Sequence, residues 1–210
     1  MQKGSHDVLY RVNGDILSAL KTSEDIGWES VTEFSVQRIM YIASVLFSFR
    51  HENEFNPFEQ DYDFSVSLRG PFSAIIPRSL SFLLANEFIY YTDHKELSLS
   101  DRQMPDLYSM PYFKERKDWI ESIIYILGIY GEEKIYDFVF RDPQYQDNIQ
   151  RNSIKEINIK PGNKTDITIR KMKAAFEKSL GSSASELENK KYLDMYFDYV
   201  FSKILRGETE

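Results

Sequence analysis

The chain switches from a strand pattern to a helical pattern and back within residues 62–91, and this switch constrains the fold more than any other feature. Apolar and polar residues alternate at its start, as they do in a half-buried strand. The apolar positions are Tyr62, Phe64, Val66 and Leu68, and the polar ones are Asp63, Ser65 and Ser67. The strand is expected to end at Arg69, Gly70 and Pro71, since glycine and proline interrupt regular pairing.

A short helix and a hairpin are predicted after this corner. Ser73 is the expected N-cap, and Pro77 lies in or near the first turn, where proline is tolerated. The helix body presents Leu80, Leu83 and Leu84 on one face. Residues 88–92 and 96–99 are expected to form two strands joined by a turn. A helix followed by a short hairpin is typical of a winged helix.

Residues 36–49 carry the strongest helical pattern in the chain, with apolar side chains on nearly every face. A helix that is apolar all round is buried, so we expect this one at the centre of the core, with Ser35 as its N-cap. Other helices are expected over residues 7–20, 114–130, 132–140, 165–180 and 185–206, with irregular chain over 144–162 apart from a short strand at 154–159.

The fold class predicted from these elements is mainly α with a small β-hairpin. A winged-helix-like domain is expected over residues 1–104, followed by a helical domain over residues 105–210 that packs closely on it. The sequence has no cysteine, no run near the roughly 20 apolar residues of a membrane span, and no apolar segment typical of a secretory signal near residue 1. We therefore expect a cytoplasmic protein that makes no membrane contact.

The net charge is −7, but one segment is strongly basic. Residues 151–173 contain only Glu156 and Asp166 as acidic residues. The basic residues of this segment are Arg151, Lys155, Lys160, Lys164, Arg170, Lys171 and Lys173. Two interpretations stay open: a solvated loop and helix face, or a surface that contacts DNA phosphates or an acidic partner.

The sequence contains no motif for catalysis, metal binding or nucleotide binding. Its three histidines, at positions 6, 51 and 94, lack metal-site spacing, and His51 is interpreted as a solvated loop residue. Asp61 and Asp63 are interpreted as a solvated acidic turn. Phosphate-binding glycine loops and a nucleophile elbow are missing from the sequence. We expect no catalytic site, no metal and no cofactor.

The last predicted helix is apolar over about three-quarters of its circumference, more than an ordinary surface helix. Two explanations stay open: the helix is central to its own domain, or one of its faces also binds another chain, for which aromatic side chains are typical anchors. The same ambiguity applies to the helix that carries Trp119. The predicted partner-binding residues are Trp119, Tyr192, Tyr196, Phe197, Tyr199 and Phe201.

Four segments together resemble the middle components of ABC-three-component systems, a family to which the adaptor of Lamassu-type antiphage complexes belongs. The segments are QRIMYIASVLFSF, FSVSLRGPFS, SLSFLLANEFI and IYGEEKIYDFVFRDPQY, within about residues 8–145. They resemble a core helix, a Gly-Pro corner, the helix after it and a later helical segment. The sequence departs from the family pattern at Arg69, where an aromatic residue is usual, and at residues 87–89, where Gly-Leu-Ile is usual.

The resemblance implies a non-enzymatic adaptor that joins an SMC-like coiled-coil ATPase to an effector, commonly a nuclease, in a complex that senses foreign DNA. Our first hypothesis is such an adaptor, which contacts DNA through the complex. The alternative is a winged-helix DNA-binding regulator or antitoxin, which requires a basic recognition helix, whereas residues 74–86 contain only Arg78 as a basic residue. A third hypothesis is a metal-dependent nuclease built on Glu156 and Lys160, which lie four residues apart rather than the usual two.

Overall fold

The computed structural model describes residues 3–28, 31–52, 54–103, 106–151, 156–180 and 187–207, and within these ranges the fold is mainly helical with two small antiparallel strand pairs. The helices are α1 (Lys3–Asp25), α2 (Glu33–Arg50), α3 (Ile75–Ala85), α4 (Phe113–Gly128), α5 (Ile135–Phe140), α6 (Pro143–Gln150), α7 (Lys164–Leu180) and α8 (Asn189–Leu205). The strands are β1 (Ser65–Ser67), β2 (Gly70–Phe72), β3 (Ile89–Tyr91) and β4 (Leu97–Leu99).

Helix α2 lies at the centre of the core, as its pattern predicts. Fourteen of its 18 residues are buried, and it packs against α1, α3, α4, α5, α7, α8 and β2. Side chains from neighbouring elements also bind its backbone: the Trp119 indole donates to the Ala43 carbonyl at 2.8 Å, and the Asn163 amide donates to the Val45 carbonyl at 3.0 Å. The core is continuous from α1 to α8. The close packing of these elements leaves the division between residues 104 and 105 a prediction.

A buried ionic network joins α1, the loop before β1, and α4. The Arg116 guanidinium donates to Asp15 Oδ1 at 2.9 Å and to Asp61 Oδ2 at 2.8 Å, and the Tyr62 hydroxyl donates to Asp15 Oδ2 at 2.7 Å. Arg11 binds Asp61 from the other side. Burial opposes the charge on Arg116, but the carboxylate of Asp15 more than compensates and raises the Arg116 pKa. Asp61 is therefore a buried ion-pair partner, and the prediction that it lies in a solvated turn is wrong.

The two strand pairs are both short hairpins. Strand β3 pairs with β4 in the register Ile89↔Leu99, which confirms the predicted hairpin after the short helix. The Gly-Pro corner is itself part of a hairpin, because β2 turns back on β1 with Ser67 opposite Gly70. Gly70 adopts a φ of 116°, which an L side chain rarely adopts.

Two helix N-caps and the helix α6 differ from the predictions for local reasons. Thr32 is the N-cap of α2, and Ser35 is the N3 residue of a capping box with it. Ala74, not Ser73, precedes α3, and the Ser73 amide instead donates to the Gln37 side chain at 2.8 Å. Residues expected to be irregular form α6, whose N-cap Asp142 accepts from the Tyr145 amide at 2.9 Å.

The strand predicted at residues 154–159 is not formed in its described part. Residues 156–159 have no regular secondary structure, although the Ile157 amide donates to the Phe64 carbonyl. Residues 154 and 155 lie outside the described residues.

Candidate partner-binding face

Five of the six predicted partner-binding residues are used by the chain's own core. Trp119, Tyr192, Tyr196, Phe197 and Phe201 are buried. Phe138 of α5 stacks on both Phe197 and Phe201, with ring centroids 4.8 and 5.2 Å apart. Tyr199 alone of the six is exposed, with 51% of its surface accessible. The apolar circumference of α8 thus reflects contacts with α2, α5 and α7, and burial keeps the five residues from serving as exposed anchors for a partner.

The predicted nucleic-acid-binding residues are largely neutralised by carboxylates. Ion pairs join Arg151 to Asp147 (3.1 Å), Lys160 to Glu59 (3.5 Å), Lys164 to Asp147 (3.9 Å), Arg170 to Glu52 (2.5 Å) and Asp166 (2.7 Å), and Lys173 to Glu177 (4.0 Å). Lys171 is exposed, and Lys155 lies outside the described residues. Since each of these carboxylates offsets a cation, the segment has much less free positive charge than its sequence indicates.

A different surface brings cations and aromatic rings together. The Arg69 guanidinium lies 4.9 Å from the Phe34 ring centroid, and the Arg38 guanidinium lies 4.7 Å from the Tyr136 ring centroid. Arg38 also lies 6.0 Å from the Phe34 ring, so the side chains alternate as Arg69, Phe34, Arg38 and Tyr136. Such cation–π contacts hold a cation in a defined place without neutralising it.

The series continues into a cleft of about 400 Å³ between α5, α6 and α8. Tyr136 packs against Phe140 with ring centroids 4.5 Å apart, and Lys203 Nζ lies 4.8 Å from the Tyr199 ring. The cleft is lined by Tyr136, Asp137, Phe140, Arg141, Gln146, Tyr199, Val200 and Lys203. We call Phe34, Arg38, Arg69, Tyr136, Phe140, Tyr199 and Lys203 the cation–aromatic face.

The β1–β2 hairpin is fixed at one end of this face. Arg38 donates to the Arg69 carbonyl at 3.1 Å, and the Tyr145 hydroxyl donates to the Ser67 carbonyl at 3.1 Å. Leu68 at the hairpin tip is 98% exposed. The hairpin therefore presents an apolar side chain next to Arg69, where an incoming chain can bury it.

Four basic side chains and two acidic ones are located on or beside this surface. Arg38, Arg69 and Lys203 belong to the face and Arg141 lines its cleft, whereas Asp137 and Glu132 supply the nearby carboxylates. Burial lowers the pKa of Arg38, and Glu132 counteracts this effect. Among the described residues, Arg38 Nε is buried without a hydrogen-bond partner. A rigid array of this kind suits the binding of an acidic chain that also carries apolar side chains.

A local signal for this face is present in the sequence, and it does not depend on a cluster of charges. Three helices each place two members four residues apart: Phe34 with Arg38, Tyr136 with Phe140, and Tyr199 with Lys203. Residues with this spacing are neighbours on a helix surface. Within one helix such a pair does not indicate a binding surface. The surface forms only when the fold brings the three helices together.

Comparison with family models, with curated proteins and with solved structures finds no match to this chain. Among its described helices, none combines the length and the apolar character needed to cross a bilayer.

Proposed function

We propose that this chain is a non-catalytic adaptor, with a winged-helix-like N-terminal part, that binds an acidic segment of a partner protein through the cation–aromatic face. The observation that carries the proposal is the alternation of cations and aromatic rings that ends in the 400 Å³ cleft. The family resemblance supplies the setting: an antiphage complex in which the partners are an SMC-like coiled-coil ATPase and an effector such as a nuclease.

An acidic protein segment with a bulky apolar residue suits this face best. The apolar residue would enter the cleft against Tyr136, Phe140 and Val200, because large side chains that fill pockets at the centre of an interface supply most of its binding energy. Its carboxylates would lie near Lys203 and Arg141, where partial burial strengthens hydrogen bonds to charged groups.

A DNA-reading role is the second candidate, and the structure offers it less support. The series of basic side chains is interrupted by Asp137 and Glu132, and Arg78 is the sole basic residue of α3. Phosphate backbones are bound by clustered lysines and arginines. An acidic protein segment can be bound by fewer cations than a DNA duplex requires. The adaptor proposal therefore accounts better for a surface that carries both basic and acidic side chains.

Co-expression with the products of the neighbouring genes tests the proposal. We expect the tagged chain to co-purify with a coiled-coil ATPase or its effector, and we expect Tyr199→Ala and Lys203→Glu each to weaken that complex about tenfold or more. Matched controls are Tyr125→Ala and Lys171→Glu, which make the same changes at exposed positions away from the face. These controls should retain wild-type affinity.

Two results would overturn the proposal. One is that the chain remains a monomer when it is co-expressed with the products of the neighbouring genes. The other is a complex that both face variants leave intact. Gel shifts at graded salt provide the test of the alternative, since salt-sensitive DNA binding by the isolated chain that Lys203→Glu abolishes would favour the regulator instead.

A further inference from the structure

Three metal-ligating side chains meet at the end of α2, away from the cation–aromatic face. One ligand atom from each of His51, Glu54 and Glu115 lies within 4.8 Å of the other two. His51 is the C-cap of α2, Glu54 is held in the following turn by a bond from its amide to the His51 carbonyl, and Glu115 lies in the first turn of α4. Residues far apart in sequence thus contribute to one cluster.

The imidazole ring of His51 is held in a fixed orientation. It stacks on Phe47 at 4.4 Å with an interplanar angle of 15°, and the Trp119 ring meets it edge-on at 5.5 Å. His51 Nδ1 lies 3.3 Å from Glu54 Oε2. The interpretation of His51 as a solvated loop residue is therefore wrong: the ring is half-buried and positioned by its neighbours. A ligand that is fixed before binding loses little freedom when it binds.

The distances allow the three side chains to close around one ion. Zinc takes nitrogen ligands at about 2.0–2.1 Å and carboxylate oxygens at about 2.0–2.2 Å in a tetrahedral arrangement, which places neighbouring ligand atoms about 3.3 Å apart. The His51–Glu54 separation already matches this value. Glu54 is exposed at the surface, so a change of its rotamer can supply the remaining closure toward Glu115.

The chemistry of the donors also suits a divalent ion. Imidazole nitrogen and carboxylate oxygen are both donors that zinc accepts. Glu54 and Glu115 lie close together, so a cation between the two carboxylates would offset their repulsion. A cleft of about 250 Å³ adjoins the cluster, and Arg50, Ser122 and Lys190 are among its lining residues. This cleft leaves space for a water or an anionic ligand at a fourth coordination position.

We propose that His51, Glu54 and Glu115 form a Zn²⁺ site whose open coordination position faces this cleft. The three protein ligands with one open position correspond to the ligand number of zinc sites that bind an exchangeable water. The site is separate from the proposed partner-binding face, and its test does not depend on a partner.

Calorimetric titration of the purified, metal-free chain with ZnCl₂, combined with elemental analysis after dialysis, tests the site. We expect one Zn²⁺ per chain and a thermal midpoint that rises with Zn²⁺ concentration. Glu54→Gln and Glu115→Gln should each weaken Zn²⁺ binding at least about tenfold. Loss of even a residue that only hydrogen-bonds to a metal ligand weakens metal affinity by about that factor. Glu54→Gln changes an exposed side chain, so it keeps the test interpretable if Glu115→Gln fails to fold.

Glu52→Gln is the matched control. Glu52 lies in the same turn, but its carboxylate binds Arg170 at 2.5 Å. We expect this variant to bind Zn²⁺ as the wild type does. The proposal is overturned if no stoichiometric binding occurs at about 100 µM Zn²⁺, a concentration that would occupy even a weak site with a Kd near 10 µM. It is also overturned if Glu54→Gln and Glu115→Gln bind like the wild type, or if Glu52→Gln weakens binding equally.

Discussion

Replacing Arg116 by methionine should destabilise the chain more than almost any other single change of a polar residue. The guanidinium is buried and donates to two carboxylates that are themselves buried, Asp15 and Asp61. Removing one partner of a buried ion pair typically costs about 3–5 kcal/mol, because the other charge is left in the interior without compensation. Asp61 keeps Arg11 as a partner, whereas among the residues that the structure describes Asp15 keeps only the Tyr62 hydroxyl. The cost therefore arises mainly at Asp15.

The loss is large relative to the total stability of a domain this size. Domains unfold with about 5–15 kcal/mol, so Arg116→Met should leave a folded but marginal chain. Urea unfolding followed by far-UV circular dichroism measures the difference directly. Lys117→Met is the matched control on the same helix, because Lys117 pairs with Glu121 on a partly exposed surface, where such a pair contributes about 0.3–0.5 kcal/mol.

A second substitution locates the effect. Asp15→Asn in the Arg116→Met background removes the uncompensated charge and should restore part of the lost stability. The pH dependence has a definite sign: burial raises the folded pKa of Asp15 above its unfolded value of 3.8, and loss of the Arg116 charge, which lowers this pKa, raises it further. The deficit of Arg116→Met should therefore be smaller near pH 4 than near pH 7. A loss below about 1 kcal/mol, or no rescue by Asp15→Asn, would refute the reasoning.

Two further predictions concern backbone strain and alkaline pH. Gly70→Ala places a β-carbon at a φ of 116°, which should cost about 1–3 kcal/mol in urea unfolding; an unchanged midpoint would contradict the strain argument. Burial, and for Tyr130 also its bond to Asp198, raises the pKa of Tyr130 and Tyr145 to about 12. Because these folded values exceed the unfolded value of 10.0, the stability that the two tyrosines contribute should be fully present below pH 10 and should fall toward pH 12. An absorbance titration at 295 nm in which all tyrosines ionise in a single step near pH 10 would contradict this expectation.

The sequence predicts the elements that follow from strong local patterns. Helix α2 is found where its apolar pattern places it, because a helix that is apolar on every face is stable only when other elements surround it. The β3–β4 hairpin is likewise found, since β-rich residues flank a polar turn. Neither prediction needs knowledge of the rest of the chain.

Predictions fail where one local signal has two meanings. Asp142 and Pro143 follow the helix predicted over residues 132–140, and they favour its end because the residue before proline avoids helical geometry. They also begin α6, in which Asp142 is the N-cap and Pro143 occupies the first turn. Asp142 is fixed in this role by Tyr41 and Thr165, which donate to its two oxygens at 2.5 Å. Those partners are distant in sequence, so tertiary contacts decide that Asp142 and Pro143 also begin a helix.

The proposed partner-binding face differs from the predicted one for the same reason. An apolar helix circumference indicates how much surface must be covered, but it does not say which chain covers it. Around α8 the covering is internal, and the exposed aromatic residues Tyr199 and Tyr136 line one cleft only because α5 and α8 pack together. Binding surfaces are therefore found among the residues that remain after a chain has packed its own core. On this chain one such surface combines aromatic and cationic side chains, and the acidic partner proposed above rests on that combination.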